Sequence, residues 1–125
     1  MRNRANRYLK AIAANNPPSE TVNLPVAAVR IGSSLTFTAM GGEVVVDYSR
    51  KLKRLLAEDH PWMIGYAYEV PCYIPSARIL NEGGYEAEAS LMLYGLYGPF
   101  QSTVEDILVR TVTNTVAQTR GSAAQ

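Results

Sequence analysis

The stretch VAAVRIGSSLTFTAMGGEVVVDYSRKLKRLL, residues 26–56, decides the fold class because its hydrophobic periodicity changes once along its length. In the first half, apolar residues recur at every second position, and this period predicts strands over residues 26–31 and 35–39. The Gly-Ser-Ser between them is typical of a hairpin turn. After the following glycine pair, apolar residues recur at helical spacing, which predicts a helix over residues 43–57. The sequence therefore predicts a mixed α/β fold.

The segments that follow extend this order by a strand, an irregular loop and a C-terminal helix. Residues 62–68 have the composition of a strand, whereas residues 71–75 are predicted to be irregular because a proline stands at each end. Ser102 is predicted to begin the last helix, with Glu105 three positions later completing a capping box. The order is hairpin, helix, strand, irregular loop and C-terminal helix, which we interpret as a partial domain of a larger fold.

Both ends of the chain are predicted to lie outside this unit. A short helix is possible over residues 4–14, and the prolines that follow end it, so residues 1–21 are interpreted as an N-terminal appendage. Residues 119–125 end in Gly-Ser-Ala-Ala-Gln and are predicted to be a disordered tail. The unit itself is then residues 22–118.

Charge and composition argue against several classes of function. The formal net charge is +1, from 12 Lys and Arg against 11 Asp and Glu, which predicts no binding of nucleic acid or of an anionic membrane surface. A single cysteine, Cys72, excludes an internal disulfide. No apolar run approaches the roughly 18 residues of a membrane span, and no signal peptide is predicted within the chain. Localisation is therefore left open, because an exported parent protein would carry its signal upstream.

Three acidic or phenolic side chains are candidates for a functional site. Glu43 follows Gly41-Gly42 at a strand-to-helix junction, where the loops of α/β sheets often form sites, although an acid in the first turn of a helix also stabilises that helix. Tyr73 lies in a loop stiffened by prolines, and Tyr85 follows a second glycine pair; either phenol could serve a site or simply pack. Six of the eight tyrosines fall within residues 66–97, which is typical of a hydrogen-bonding cleft or of a half-buried sheet face.

The histidine and cysteine content makes a complete catalytic centre within this chain improbable. His60 is the one histidine, so the chain cannot supply the two-histidine set that many catalytic zinc sites use, and we interpret it as a solvated end of a helix. Cys72 would act as a nucleophile only beside a histidine base. The chain has no Walker-type loop, no dinucleotide fingerprint and no Gly-x-Ser-x-Gly elbow.

Three blocks, in the same order, resemble the closing part of the catalytic domain of the neutral/alkaline ceramidases. The first, from VRIG to MGGE over residues 29–43, is similar to a strand pair that runs into the family's Pro-Gly-Glu corner, with Gly41 in place of the proline. The second, residues 64–78, contains IGYA and YIPSAR, and the third, residues 83–99, contains GGYEA and YGP. The resemblance covers residues 22–118.

This resemblance implies a zinc-dependent amidohydrolase in which a metal-bound water attacks the N-acyl amide of ceramide-like sphingolipids. In that family two histidines, a glutamate and a tyrosine bind the zinc, and the corner glutamate corresponds to Glu43. The tyrosine corresponds to Tyr73; Tyr85 is the alternative ligand and otherwise the candidate catalytic phenol. The histidine ligands lie far upstream in a longer chain, so Zn²⁺ is expected only if upstream histidines complete the site.

Three hypotheses about function follow from these observations. The first is a fragment or truncated relative of a ceramidase, inactive alone and able to associate with itself or with an upstream half, which handles a ceramide-like lipid when complete. The alternative is a non-enzymatic binding or interaction module derived from the same fold. A hydrolase that uses Cys72 is the weakest hypothesis.

Overall fold

The computed structural model describes residues 2–15, 21–96 and 98–121, and it confirms the predicted mixed α/β class. The helices and strands, in chain order, are α1 (Arg2–Ala13), β1 (Val26–Ile31), β2 (Leu35–Met40), β3 (Glu43–Val44), α2 (Val46–Leu55), β4 (Pro61–Ile64), β5 (Tyr73–Ile74), α3 (Ala77–Glu82), α4 (Ser90–Tyr94) and α5 (Val104–Gly121). A single 3₁₀ turn, Ala57–Asp59, follows α2, and a π-helical turn, Tyr85–Ala89, precedes α4.

The predicted hairpin is confirmed and forms most of a three-stranded sheet. β1 pairs antiparallel with β2 in the register Ile31↔Leu35, which places the predicted turn between them. β4 then pairs with the other side of β2, in parallel, with Phe37 opposite Trp62. The strand order is β1-β2-β4, so β4 is an edge strand.

The prediction that Glu43 begins a helix is wrong. Glu43 and Val44 form β3, which pairs in parallel with β5, and the helix starts three residues later at Val46. The Glu43 N–H donates to the Cys72 carbonyl at 2.9 Å, so this backbone is held extended by a partner strand. The β-branched valines that follow favour the extended conformation. The hydrophobic period alone did not show where the extended backbone ends and the helix begins. For the same reason, the loop over residues 71–75 is not wholly irregular.

The predicted strand over residues 62–68 is too long. β4 ends at Ile64, and the backbone then turns through positive φ angles of 56° at Tyr66 and 60° at Tyr68. This turn is held against the glycine corner, because the Tyr66 N–H donates to the Gly42 carbonyl at 3.0 Å. The segment predicted as one strand over residues 62–68 is therefore a short strand followed by a tight loop.

The C-terminal helix starts at Val104, and the predicted capping box at Ser102 does not form. Glu105 instead accepts hydrogen bonds from Lys51 Nζ at 2.8 Å and from the Ala77 backbone N–H at 2.7 Å. Its carboxylate joins α5 to α2 and to the start of α3, which are distant in sequence. α5 continues to Gly121, so the tail predicted from residue 119 begins inside the helix, and residues 122–125 lie outside the described residues.

The two faces of the three-stranded sheet have different surroundings. On the inner face, Thr36, Thr38 and Met40 are buried beneath α2 and α5, whose buried residues include Tyr48, Leu52, Leu108, Val109, Val112 and Val116. The opposite face, called the outer face below, consists of Ala27, Val29, Ile31, Leu35, Phe37, Ala39, Trp62 and Ile64. No element among the described residues buries the outer face, although it carries the apolar positions from which the strands were predicted.

None of the helices within residues 2–15, 21–96 and 98–121 combines the length and the hydrophobicity that a membrane span needs.

Candidate functional site

The glycine corner before Glu43 is a place of close backbone approach. A Cβ atom on Gly41 would lie 2.9 Å from Pro25 Cδ, and one on Gly42 would lie 2.9 Å from Ile74 Cγ1. Gly42 also has a φ of +76°, a conformation that L-residues rarely adopt. The corner can therefore pass between these neighbours only as glycine, and it directs the next residue, Glu43, into its pairing with β5.

Glu43 lies directly beside Tyr73, because the two residues are register partners in the parallel β3–β5 pair. The Glu43 carboxylate accepts hydrogen bonds from the hydroxyl groups of Tyr94 and of Tyr66, the latter at 2.8 Å. The Tyr73 phenol lies beside this carboxylate and also lowers its pKa. Three phenols from three separate segments of the chain thus converge on one acidic side chain.

Tyr85 joins this group through its ring. Its centroid lies 5.5 Å from that of Tyr73 at an interplanar angle of 73°, and the Tyr94 ring lies 6.4 Å from Tyr73 at 72°. Such edge-to-face contacts are the favoured geometry of aromatic pairs. We refer to Tyr66, Tyr73, Tyr85 and Tyr94 as the tyrosine cluster.

The contacts between Glu43 and the phenols lower the pKa of the carboxyl group and raise the pKa values of the phenols. The pKa of Glu43 is lowered, chiefly by the Tyr94 hydrogen bond, against an opposing effect of burial and with further help from Tyr66 and Tyr73. In turn, the carboxylate raises the pKa of Tyr94, which donates to it, to about 12, and it also raises the pKa of its neighbour Tyr73. Near neutral pH the site is therefore one carboxylate anion surrounded by neutral phenols.

No cationic side chain neutralises this anion within the described residues, since none of the ion pairs found there involves Glu43. The contrast within the same molecule is Asp59, which is buried and pairs with both Arg30 and Arg120. The Glu43 site has the charge and the oxygen donors that suit a cation.

A second network fixes the segment that carries Tyr73. The buried Tyr48 hydroxyl donates to the Pro75 carbonyl at 2.9 Å, and the Ser76 hydroxyl donates to Asp47 at 2.6 Å. Ser76 also accepts from the Ile79 N–H and so caps α3. Because Tyr48 and Asp47 belong to α2, two hydrogen bonds join the helix that follows β3 to the loop that follows β5.

The residues predicted for the site are thus brought together, and two further members were missed. Glu43, Tyr73 and Tyr85 lie in one group, whereas Tyr66 and Tyr94, which donate to Glu43, were not singled out. The density of tyrosines over residues 66–97 was the signal that could have found them. Neither the hydrophobic period nor the spacing of the tyrosines showed which phenols donate to the same carboxylate.

The two remaining candidates lie elsewhere in the structure. Cys72 is fully buried, and burial, assisted by the charge of Glu43, raises the pKa of its thiol to about 11. A thiol of this kind is a poor nucleophile, because the thiolate is the reactive form. His60 is exposed and ends the 3₁₀ turn with a φ of 46°, in keeping with its interpretation as a solvated helix end.

As a metal site, the group is incomplete within this part of the chain. No set of three His, Cys, Asp or Glu side chains among the described residues could hold a metal ion. Glu43 and Tyr73 provide at most a carboxylate and a phenol, whereas a catalytic zinc ion usually takes three protein ligands. These residues therefore fit part of a zinc coordination sphere, and imidazole donors would have to come from elsewhere.

Comparisons with known proteins add no assignment to this geometry: no family model, no curated protein and no solved structure matches the chain.

Proposed function

We propose that this chain is part of a zinc-dependent amidohydrolase of the neutral/alkaline ceramidase type, and that it supplies Glu43 and Tyr73 to a metal whose imidazole donors come from outside it. The observation that carries the proposal is the adjacency of these two side chains on β3 and β5. They are the two positions to which the sequence resemblance assigns metal ligands. Two ligands of one metal must lie side by side, and Glu43 and Tyr73 do so although they are 30 positions apart in the sequence.

The electrostatics support the same role for Glu43. A carboxylate that is anionic and not paired with Lys or Arg keeps its charge for an added cation. Tyr66 and Tyr94 hold the two carboxylate oxygens by hydrogen bonds, as outer partners commonly orient the ligands of a metal. When bound there, zinc supplies Lewis acidity for polarising an amide carbonyl and lowers the pKa of a nearby phenol.

Tyr85 is assigned a different task. It touches the ring of Tyr73, belongs to the π-helical turn and is about half exposed, so its phenol lies at the rim of the tyrosine cluster. A phenol hydroxyl in this position can donate a hydrogen bond to the carbonyl of an entering amide. The substrate class implied by the resemblance is a ceramide-like lipid, handled by the complete enzyme.

Zinc titration tests this proposal on the chain as it exists. We expect weak binding of Zn²⁺ by calorimetry, strengthened when imidazole is supplied to stand in for the missing donors. Glu43→Gln should weaken zinc binding by more than the roughly 10–100-fold that loss of an outer partner costs, because it removes a ligand. Glu88→Gln is the matched control, because it removes an exposed carboxylate from the neighbouring π-helical turn and should leave zinc affinity unchanged.

Two outcomes would count against the proposal. Equal zinc affinity of the wild-type chain and of Glu43→Gln, with imidazole present, would remove Glu43 from the ligand set. Zinc-dependent cleavage of a fluorogenic ceramide by the purified chain would show that the site needs no outside donors.

The second candidate function, a non-enzymatic interaction module, is favoured by one specific observation, the exposed outer face. The metal content of the protein distinguishes the two. A fragment joined to its upstream half should carry about one zinc ion per chain, whereas a module should carry none.

A further inference from the structure

The outer face of the three-stranded sheet is apolar throughout, and four of its eight residues are exposed to solvent. Val29 and Ile31 on β1 are 59% and 57% exposed, and Trp62 on the edge strand β4 is 62% exposed. Between them lie the apolar side chains of β2, with the Phe37 and Trp62 rings 6.1 Å apart. None of the eight residues of this face is polar or charged.

Such a face is unusual for a surface in water. Half-exposed antiparallel strands normally alternate apolar residues on the covered side with polar ones on the solvent side. Here the order is reversed, since Thr36 and Thr38 are buried under the helices while the apolar residues face outwards. From the exposed fractions, the open apolar area is roughly 500 Å², near the largest patch found on a typical monomer.

We propose that this outer face packs against the same face of a second copy of the chain, as two sheets placed face to face about a two-fold axis. A two-fold contact joins identical patches, so each copy must be complementary to itself, and an apolar face without charges meets that condition. Two copies would bury roughly 1,000 Å² in total, which reaches the lower limit of a specific interface.

The same area sets the strength and the form of the complex. An interface at the lower limit should be weak, with a dissociation constant in the micromolar range. Sheets that pack face to face lie about 10 Å apart with their side chains interdigitated. The contact is independent of the zinc proposal, because the outer face belongs to β1, β2 and β4, whereas Glu43 lies on β3.

The chain contains its own probe for this contact, because Trp62 is its single tryptophan and lies on the outer face. Sedimentation velocity over a range of about 1–200 μM should show a monomer–dimer equilibrium that stops at two copies, in line with a micromolar interface. Over the same range the emission of Trp62 should shift to shorter wavelength, and acrylamide should quench it less.

Variants separate this interface from general stickiness. Val29→Lys places a charge on the face and should raise the dissociation constant at least tenfold. The gentler pair Val29→Thr and Ile31→Thr should weaken association while keeping strand propensity, which covers the case in which the lysine variant does not fold. Leu55→Lys, on the exposed side of α2, is the matched control and should change nothing.

The proposal is overturned by a monomer at every concentration, by a dimer in which Trp62 stays exposed, by assembly that continues beyond two copies, or by equal weakening in Leu55→Lys. If the dimer fails while zinc still binds through Glu43, the proposed function stands without this interface.

Discussion

Two carboxylates in this chain, Glu43 and Asp59, are both held by several hydrogen bonds, yet their partners differ in kind. Asp59 is 2% exposed and receives the guanidinium groups of Arg30 and Arg120, the latter through bonds of 2.5 and 2.9 Å. Glu43 receives neutral phenols instead. In both cases the pKa of the acid is lowered, and the first cause is a side-chain hydrogen bond.

The difference lies in what remains after the bonds are made. The Asp59 charge is cancelled by two cations, so its contribution is to join β1, the 3₁₀ turn and the end of α5. The phenols stabilise the charge of Glu43 without cancelling it, so the anion remains available. A lowered pKa therefore does not by itself distinguish a structural acid from a site acid, whereas the charge of the partners does.

The largest expected effect is on stability and comes from Asp59→Asn. This change leaves Arg30, whose side chain is 12% exposed, without its carboxylate, and breaking such a pair costs about 3 kcal/mol or more. Urea unfolding should show this loss, while Glu43→Gln should lose only about 1 kcal/mol, because its phenols can turn to water. Similar losses in the two variants would contradict the distinction drawn here.

The contribution of Asp59 to stability should also depend on pH. Since the pKa of Asp59 is lower in the folded state, its contribution is fully present above the unfolded value of about 3.9 and is lost as the pH falls through the folded value. Asp59→Asn should therefore flatten the acid limb of the stability profile between these two values.

The next effect is spectroscopic and concerns the tyrosine cluster. Tyr94 should ionise near its raised pKa of about 12, and Glu43→Gln should return this ionisation towards about 10. The stabilising contribution of Tyr94 is present below the unfolded value and is lost as the pH rises through the folded one. Absorbance at 295 nm measures the shift directly.

Two controls accompany this titration. Glu88→Gln should leave the tyrosine ionisations in place. Tyr48, whose pKa is raised mainly by burial, should still ionise only at high pH in both variants. An unchanged Tyr94 titration in Glu43→Gln would show that the carboxylate does not govern the cluster.

The smallest expected effect is that of Arg120→Gln. Its side chain is 54% exposed, and Asp59 keeps Arg30 after the change, so we expect a loss of about 0.5–1 kcal/mol in urea unfolding. Because Arg30 is the more buried partner, Arg30→Gln should cost clearly more. If Arg120→Gln cost more than Arg30→Gln, the exposed arginine would be the more important partner of Asp59.

Much of the local structure was predictable because it depends on neighbours in the sequence. The hairpin follows from a period of two on both sides of Gly-Ser-Ser, and α2 follows from a period near 3.6. The errors fall where a distant partner holds the backbone or a side chain. The Glu43 backbone is held in β3 by Cys72, and the Glu105 carboxylate binds Lys51 and Ala77 instead of capping its own helix. Local patterns carry no information about such partners.

The candidate site was predictable in part. The resemblance pointed to Glu43 and Tyr73, and the structure places them side by side, while their role as metal ligands stays a prediction. Tyr66 and Tyr94 could not be chosen among eight tyrosines, because their approach to Glu43 depends on a positive φ at one and on the packing of α4 at the other.

By itself, the sequence determined the mixed class, the hairpin, the glycine corner and a net charge of only +1, since each depends on residue type and short-range spacing. The tertiary structure alone decided which side of the sheet the helices cover and which carboxylate is left with phenols instead of arginines. The physical reason is that alternation shows that a strand has two unlike faces but not which face is buried, and that a side chain's partner is set by the packing of distant segments.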